Sequence, residues 1–114
     1  MKLHYLEIVS PDVDAICAEY EAVHNVQFGE VQELLGGART CNLPDGSIIG
    51  VRGLLRETED PVVRPYWLVE DIEKAINIVK AQGAEIAVPP LEIQGKGTFA
   101  IYIKGGIDHG FWQL

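Results

Sequence analysis

Hydrophobic residues recur at helical spacing in two stretches of the chain. Side chains separated by three or four positions lie on one face of an α-helix, so this spacing predicts two amphipathic helices. The first covers about residues 13–24 and the second begins near residue 72. The apolar positions are Val13, Ile16, Cys17, Tyr20 and Val23 in the first helix, and Ile72, Ala75, Ile76 and Val79 in the second.

Residues with helix-capping chemistry stand at the ends of both stretches. Asp12 and Asp71 immediately precede the apolar runs, where a carboxylate accepts hydrogen bonds from the first amides of a helix. Gly83 follows the second run and favours a left-handed helix end. We therefore expect each helix to begin after an aspartate and the second to end at Gly83.

Apolar runs bounded by glycine and proline predict one strand before each helix and three after it. This pattern predicts two similar βαβββ halves, residues 1–55 and 64–114, joined by a linker at 56–63, in a single α+β domain. Loops are expected at Gly36-Gly37, Pro44-Asp45-Gly46 and Pro89-Pro90. The predicted strands are Leu3 to Val9, Val26 to Leu35, Arg39 to Leu43 and Ile48 to Leu54, then Arg64 to Val69, Glu85 to Val88, Thr98 to Lys104 and Gly110 to Leu114.

Composition and charge limit the classes of function. The chain carries 17 acidic and 9 basic residues, a net charge of -8, and lacks the clustered cations that nucleic-acid binding needs. No apolar run is long enough for a membrane helix and no secretion signal is present, so we expect a cytoplasmic protein that binds neither membrane nor nucleic acid. Cys17 and Cys41 are expected to be reduced, packed thiols.

The two βαβββ halves, with Phe99-Ala100 after Gly-Lys-Gly and the terminal Gly110-Phe111-Trp112-Gln113, resemble the vicinal oxygen chelate superfamily. That superfamily includes glyoxalase I, extradiol dioxygenases and bleomycin-resistance proteins. The resemblance implies a curved sheet with a cleft, a small organic ligand in the cleft, and a homodimer. The stretch Lys104-Gly105-Gly106-Ile107 departs from the Asp-Pro-x-Gly turn that relatives usually show there.

Alternation along the strands separates the expected cleft residues from the residues beneath the helices. Leu6 and Ile8 are expected to pack under the first helix, whereas Glu7 faces the cleft as the candidate acid or base. A buried ion pair of Glu7 with Arg52 or Arg64 is the alternative. The aromatic members of the ligand set are equally compatible with simple packing. The candidate ligand-binding residues are Tyr5, Arg52, Arg64, Tyr66, Tyr102 and Trp112.

Catalytic members of the superfamily hold a divalent metal with four His or Glu side chains on cleft-facing strands. In this chain the resemblance assigns those positions to Tyr5, to Gly50 or Arg52, to Arg64 and to Gly110. None of these residues is a ligand of the expected kind. We therefore expect no metal and no other cofactor.

Three functions remain open from the sequence. The leading hypothesis is a metal-free small-molecule-binding protein of the glyoxalase and bleomycin-resistance type. The first alternative is a glyoxalase-like lyase, isomerase or dioxygenase acting on a small organic substrate, with Glu7 as its acid or base. The second is a non-catalytic domain that docks a partner elsewhere on its surface.

Overall fold

The computed structural model describes all of residues 1–114, and it has the α+β class that the sequence predicts. A strand, a helix and three strands follow one another twice along the chain. The elements are β1 (Lys2–Val9), α1 (Val13–His24), β2 (Val31–Gln32), a 3-10 helix (Glu33–Leu35), β3 (Ala38–Asn42), β4 (Ile48–Arg52), β5 (Val62–Leu68), α2 (Ile72–Ala81), β6 (Glu85–Ile93), β7 (Gly97–Lys104) and β8 (Ile107–Gln113). Neither helix is long and apolar enough to cross a membrane.

The chain divides into two compact units. The N-terminal unit is Tyr5–Val63, and the C-terminal unit is Arg64–Leu114 together with Met1–His4. In the N-terminal unit the strand order is β2-β3-β4-β1, with β1 parallel to β4 and β3 antiparallel to both its neighbours. In the C-terminal unit the order is β5-β8-β7-β6, with β5 parallel to β8 and β7 antiparallel to both its neighbours. The two units therefore repeat one topology.

Each helix buries its apolar face against the strands of its own unit. In the N-terminal unit Cys17 of α1 is fully buried and packs in one cluster with Ile8 of β1 and Val51 of β4. In the C-terminal unit Ile72 and Ile76 of α2 pack in the same way. Removal of this apolar surface from water is the main favourable term that holds helix to sheet.

The ends of α2 match the sequence prediction. The Asp71 carboxylate accepts a hydrogen bond from the Lys74 amide at 3.0 Å. At the other end Gly83 has a φ of 94°, its amide donates to the Lys80 carbonyl, and the Ala84 amide donates to Val79. This pair of bonds is the Schellman arrangement, in which glycine adopts the left-handed conformation without a steric penalty.

The predicted side-chain cap at Asp12 is wrong. α1 does begin at Val13, but the Asp12 carboxylate makes no capping hydrogen bond. The Asp12 backbone has φ -111° and ψ 52°, outside the extended conformation from which a cap side chain reaches the N2 and N3 amides. The Ser10 hydroxyl instead accepts a hydrogen bond from the Asp12 amide.

Several predicted strand boundaries also change, most of all in two places; β5 and β8 begin two and three residues earlier than predicted, at Val62 and Ile107. The long strand expected over Val26 to Leu35 is a strand only at Val31–Gln32, because the chain then turns into the 3-10 helix. Pro89-Pro90, expected in a loop, lie within β6, where the pairing with β7 shifts register between Val88 and Leu91. β6 is the last strand in the strand order. Proline, which has no amide hydrogen to donate, is tolerated there because an edge strand has no neighbour on its other side.

The contrast between the two aspartates gives a matched test of the capping assignment. We expect Asp71→Ala to lower the free energy of unfolding by about 0.5 to 2 kcal/mol, because the Lys74 amide loses its acceptor. Asp12→Ala, which removes no capping bond, is expected to change it by less. Urea denaturation of both variants measures the difference, and equal losses would contradict the assignment.

Candidate functional site

The faces of the N-terminal strands that lie opposite α1 carry the candidate residues of that unit. The parallel register pairs Ile8 with Val51 and Glu7 with Gly50. Ile8 and Val51 belong to the cluster under α1, so alternation turns Tyr5, Glu7 and Arg52 to the other face. The three side chains therefore share the face opposite α1, as alternation along the strands predicts.

Arg52 is the centre of a buried ionic cluster. Its Nε donates to Glu7 Oε2 at 2.8 Å, and its two terminal nitrogens donate to the two carboxylate oxygens of Glu59 at 3.0 and 2.8 Å. The Leu55 amide also donates to Glu59, at 2.7 Å. Arg52 therefore ties β1 and β4 to the segment that follows β4.

The charge balance of this cluster favours a permanently ionised arginine. Burial by itself would lower the pKa of Arg52, but hydrogen bonds to Glu59 and Glu7 outweigh burial and raise the pKa above its ordinary value. One guanidinium thus binds two carboxylates, those of Glu7 and Glu59. Because all three nitrogens of Arg52 already donate to groups within this unit, Arg52 is poorly suited to capture an anionic ligand.

Of the two alternatives for Glu7, the ion pair with Arg52 is present. Glu59 was missed by the sequence analysis, because it lies in the predicted linker, where nothing in the local pattern indicates a buried acid. An unpaired arginine in a predicted interior strand was the available signal that another carboxylate was needed.

Tyr5 lies directly over Gly50. A Cβ atom at Gly50 would come within 1.7 Å of the Tyr5 hydroxyl oxygen, so only glycine leaves room for this ring. Burial, followed by the negative charge of Glu7, raises the pKa of Tyr5. The phenol thus stays protonated and is a packing group of the strand face, 3% exposed.

In the C-terminal unit the equivalent strand face carries an ion pair. Arg64 donates to Asp108 Oδ2 from Nε at 3.2 Å and from a terminal nitrogen at 2.8 Å. Arg64 is buried, with 8% of its surface exposed. The carboxylate partner supplied by β8 was not predicted from the sequence.

An aromatic cluster lies beside this ion pair. It consists of His4, Tyr66, Phe99 and Trp112. Tyr66 and Trp112 meet edge to face with ring centroids 5.7 Å apart, Phe99 lies 6.1 Å from Tyr66, and His4 lies 5.3 Å from Trp112. The Trp112 indole donates to the Lys96 carbonyl at 3.0 Å. Edge-to-face contacts of this kind stabilise aromatic groups beyond the area they bury.

The four rings of the aromatic cluster differ in their exposure to solvent. Tyr66 and Trp112 are each 4% exposed, whereas Phe99 and His4 are only half-buried. Burial, then the charge of Lys2, lowers the pKa of His4, so its ring is neutral near pH 7. Phe99 was missed by the sequence analysis, although alternation with buried Ala100 on β7 was a usable signal.

The predicted placement of Tyr102 with Tyr66 and Trp112 is wrong. The β7 to β8 register pairs Phe99 with Trp112 and Tyr102 with His109, so Tyr102 lies on the other face of the sheet. There it stacks on His109 at 4.8 Å and contacts Phe111, which packs under α2. The prediction had β7 in the wrong alternation relative to β8.

The positions that the superfamily uses for its metal do not fit a metal here. Gly50 and Gly110 offer no donor atom, and a Cβ at Gly110 would come within 2.4 Å of the Tyr66 ring. Arg64 is a cation, and the Glu7 carboxylate already accepts from Arg52. No group of three or more His, Cys, Asp or Glu side chains is arranged to hold an ion.

The sequence matches no protein-family model and no curated protein. Solved structures with the same fold include a hypothetical protein from Bacillus halodurans, with a TM-score of 0.75 and 15% identity over 99% of this chain and 94% of that chain. They also include methylmalonyl-CoA epimerase from Mycobacterium tuberculosis, with a TM-score of 0.74 and 14% identity over 97% of this chain and 86% of that chain. The enzyme of the same name from Streptomyces coelicolor, in complex with 2-nitronate-propionyl-CoA, has a TM-score of 0.67 and 15% identity over 99% and 96%.

Methylmalonyl-CoA epimerase is a member of the vicinal oxygen chelate superfamily, so the glyoxalase-like fold predicted from the sequence is confirmed. At these identities the likeness establishes the fold. It does not by itself transfer a reaction, because one fold supports many activities.

The ionic cluster predicts that replacing Arg52 lowers the free energy of unfolding far more than replacing Arg39. Arg52→Met leaves Glu7 and Glu59 buried without their guanidinium, and we expect it to lower the free energy of unfolding by about 3 to 5 kcal/mol. Arg39→Met removes a pair with Asp14, whose side chain is 91% exposed, and is expected to cost about 1 kcal/mol or less. Similar denaturation midpoints for both variants would contradict the assignment of Arg52 as the buried centre.

Proposed function

We propose that this chain, which has the glyoxalase-like fold, is a metal-free small-molecule-binding protein of the glyoxalase and bleomycin-resistance type. The observation that carries the proposal is the aromatic cluster of His4, Tyr66, Phe99 and Trp112. Its half-buried members offer ring surface to a ligand, and its buried members hold that surface in place. Flat organic molecules bind to surfaces of this composition.

Polar groups beside the aromatic cluster give the ligand an orientation. Arg64 and Asp108 neighbour Tyr66 and Gly110 along β5 and β8, two residues away in each strand. His4 adds a neutral imidazole that both donates and accepts hydrogen bonds. We infer a ligand with an aromatic or conjugated body and a few polar substituents, bound without covalent chemistry.

The charge of the chain supports the same class of partner. A net charge of -8 disfavours nucleic acid and polyanionic surfaces. We further propose that the protein is a cytoplasmic homodimer, since two-module proteins of this fold commonly pair. Light scattering at micromolar concentration tests the dimer, and a monomeric mass would reject that part of the proposal.

Two tryptophans allow the binding site to be tested directly. Trp112 belongs to the aromatic cluster, whereas Trp67 pairs with Phe111 on the face that packs under α2. In Trp67→Phe the remaining fluorescence reports on the cluster, and in Trp112→Phe it reports on the opposite face. We expect bleomycin or a planar aromatic compound to change the emission of the Trp67→Phe protein saturably, with a dissociation constant on the order of 1 to 100 µM.

The matched protein Trp112→Phe is expected to show no saturable change and a smaller rise in melting temperature on addition of the same compound. An equal response from both proteins would mean that the ligand does not use the aromatic cluster. A lack of response to every compound, together with no small molecule in native mass spectra of the purified protein, would contradict the proposed function.

Metal independence is a separate expectation, since Gly50 and Gly110 supply no donors and Tyr5 and Tyr66 fill the space beside them. Zinc, nickel, manganese and iron are each expected well below one equivalent per chain by elemental analysis. A chelator is expected to leave the melting temperature unchanged. One equivalent of metal that disappears in His4→Ala or Glu7→Gln would contradict this expectation and favour the glyoxalase or dioxygenase alternative.

A second candidate function is an isomerase, favoured by the structural likeness to methylmalonyl-CoA epimerase and by the buried Glu7 carboxylate. Proton abstraction beside a carbonyl requires a carboxylate within reach of the substrate. Incubation with methylmalonyl-CoA in D2O distinguishes the two candidates. Deuterium incorporation that is lost in Glu7→Gln supports the isomerase, and unlabelled substrate supports binding without reaction.

A further inference from the structure

A groove lies at the C-terminal end of α1 in the N-terminal unit, and none of its lining residues belongs to the strand-face sites. Its volume is about 620 Å³, within the range of roughly 300 to 1,000 Å³ found for organic ligands. Four partly buried residues that pack against the core of this unit form its floor. These are Tyr20, Val26, Leu43 and Ile49.

The rim of the groove is polar but carries no carboxylate, lysine or arginine. Its exposed residues include His24 and three side-chain amides, those of Asn25, Gln27 and Asn42. Each amide has both a donor and an acceptor. A charged ligand would lose water without meeting a carboxylate, a lysine or an arginine, whereas an uncharged ligand with donors and acceptors on one edge would be satisfied.

The walls of the groove are held by local hydrogen bonds. Asn25 has a φ of 55°, and its amide donates to the Glu21 carbonyl at 3.1 Å. The Phe28 amide donates to the Glu21 carboxylate at 2.9 Å, and the Leu43 amide donates to the Ser47 carbonyl at 2.8 Å. A site that is rigid before binding loses less conformational freedom when the ligand enters.

We propose that this groove is a second ligand site, independent of the aromatic cluster, for a small uncharged planar heterocycle that carries an amide-like edge. The apolar floor contacts the ring of the ligand, and the amides of the rim bond to its edge. The class follows from the lining itself, since the floor is apolar and the rim has amides without formal charge.

Three pyridine derivatives of similar size but different charge test the charge preference of the groove. Nicotinamide is uncharged, nicotinate is an anion and 3-(aminomethyl)pyridine is a cation at pH 7.5. In 1H-15N correlation spectra we expect nicotinamide to shift the signals of Asn25, Gln27 and Asn42 saturably, with a dissociation constant on the order of 1 mM for a ligand of this size. The two charged probes are expected to bind about tenfold more weakly.

Variants separate this groove from other surfaces. Asn25→Gly keeps the left-handed conformation and removes the side-chain amide, and Asn42→Ala removes a second amide. Each is expected to weaken nicotinamide binding several-fold. Asn77→Ala removes an exposed amide from α2 and is the matched control, for which no change is expected.

The same spectra show whether each variant is folded. Saturable shifts at the groove that weaken in Asn25→Gly and Asn42→Ala, but not in Asn77→Ala, support the site. The proposal is rejected by shifts confined to other residues, by equal binding of the three probes, or by no saturation up to the solubility of nicotinamide.

Discussion

In each unit a helix packs against one face of the strands. This contact determines which strand side chains lie under the helix and which lie on the opposite face. Once α1 packs on Ile8 and Val51, alternation forces Glu7 and Arg52 to the opposite face. A register slip of one residue would exchange the two sets and bury charges under the helix. The apolar contact between helix and sheet is therefore the interaction on which the strand-face sites depend, although it contains none of their residues.

The two units use the same topology but fill the strand face differently. The N-terminal unit places a guanidinium between two carboxylates, so that each of the three nitrogens of Arg52 already donates a hydrogen bond within the unit. The C-terminal unit places aromatic rings there, beside the ion pair of Arg64 and Asp108. The first arrangement is suited to holding structure, and the second is the basis of the ligand site that we propose.

Two glycines stand at positions that metal-binding proteins of the glyoxalase-like fold use for ligands, and neither has space for a side chain. Gly50 lies beneath the Tyr5 phenol and Gly110 beneath the Tyr66 ring, at distances that exclude even a Cβ atom. A histidine or glutamate at either position would have to displace an aromatic side chain from a packed face, at a cost of about 1 to 3 kcal/mol for overpacking. In each unit a ring thus occupies space that a metal-ligand side chain would need.

The sequence by itself determined the two helices, the βαβββ order of each half and the cap at Asp71, because hydrophobic spacing and capping chemistry are local. It also determined that Tyr5, Glu7 and Arg52 share a face, since alternation requires only the position of the strand. Only the tertiary structure decided that Glu59 forms an ion pair with Arg52 and that Asp108 pairs with Arg64. It also decided that Tyr102 and Trp112 lie on opposite faces of the sheet. These outcomes depend on the register between strands and on the path of the segment after β4, and no local hydrophobic pattern encodes either.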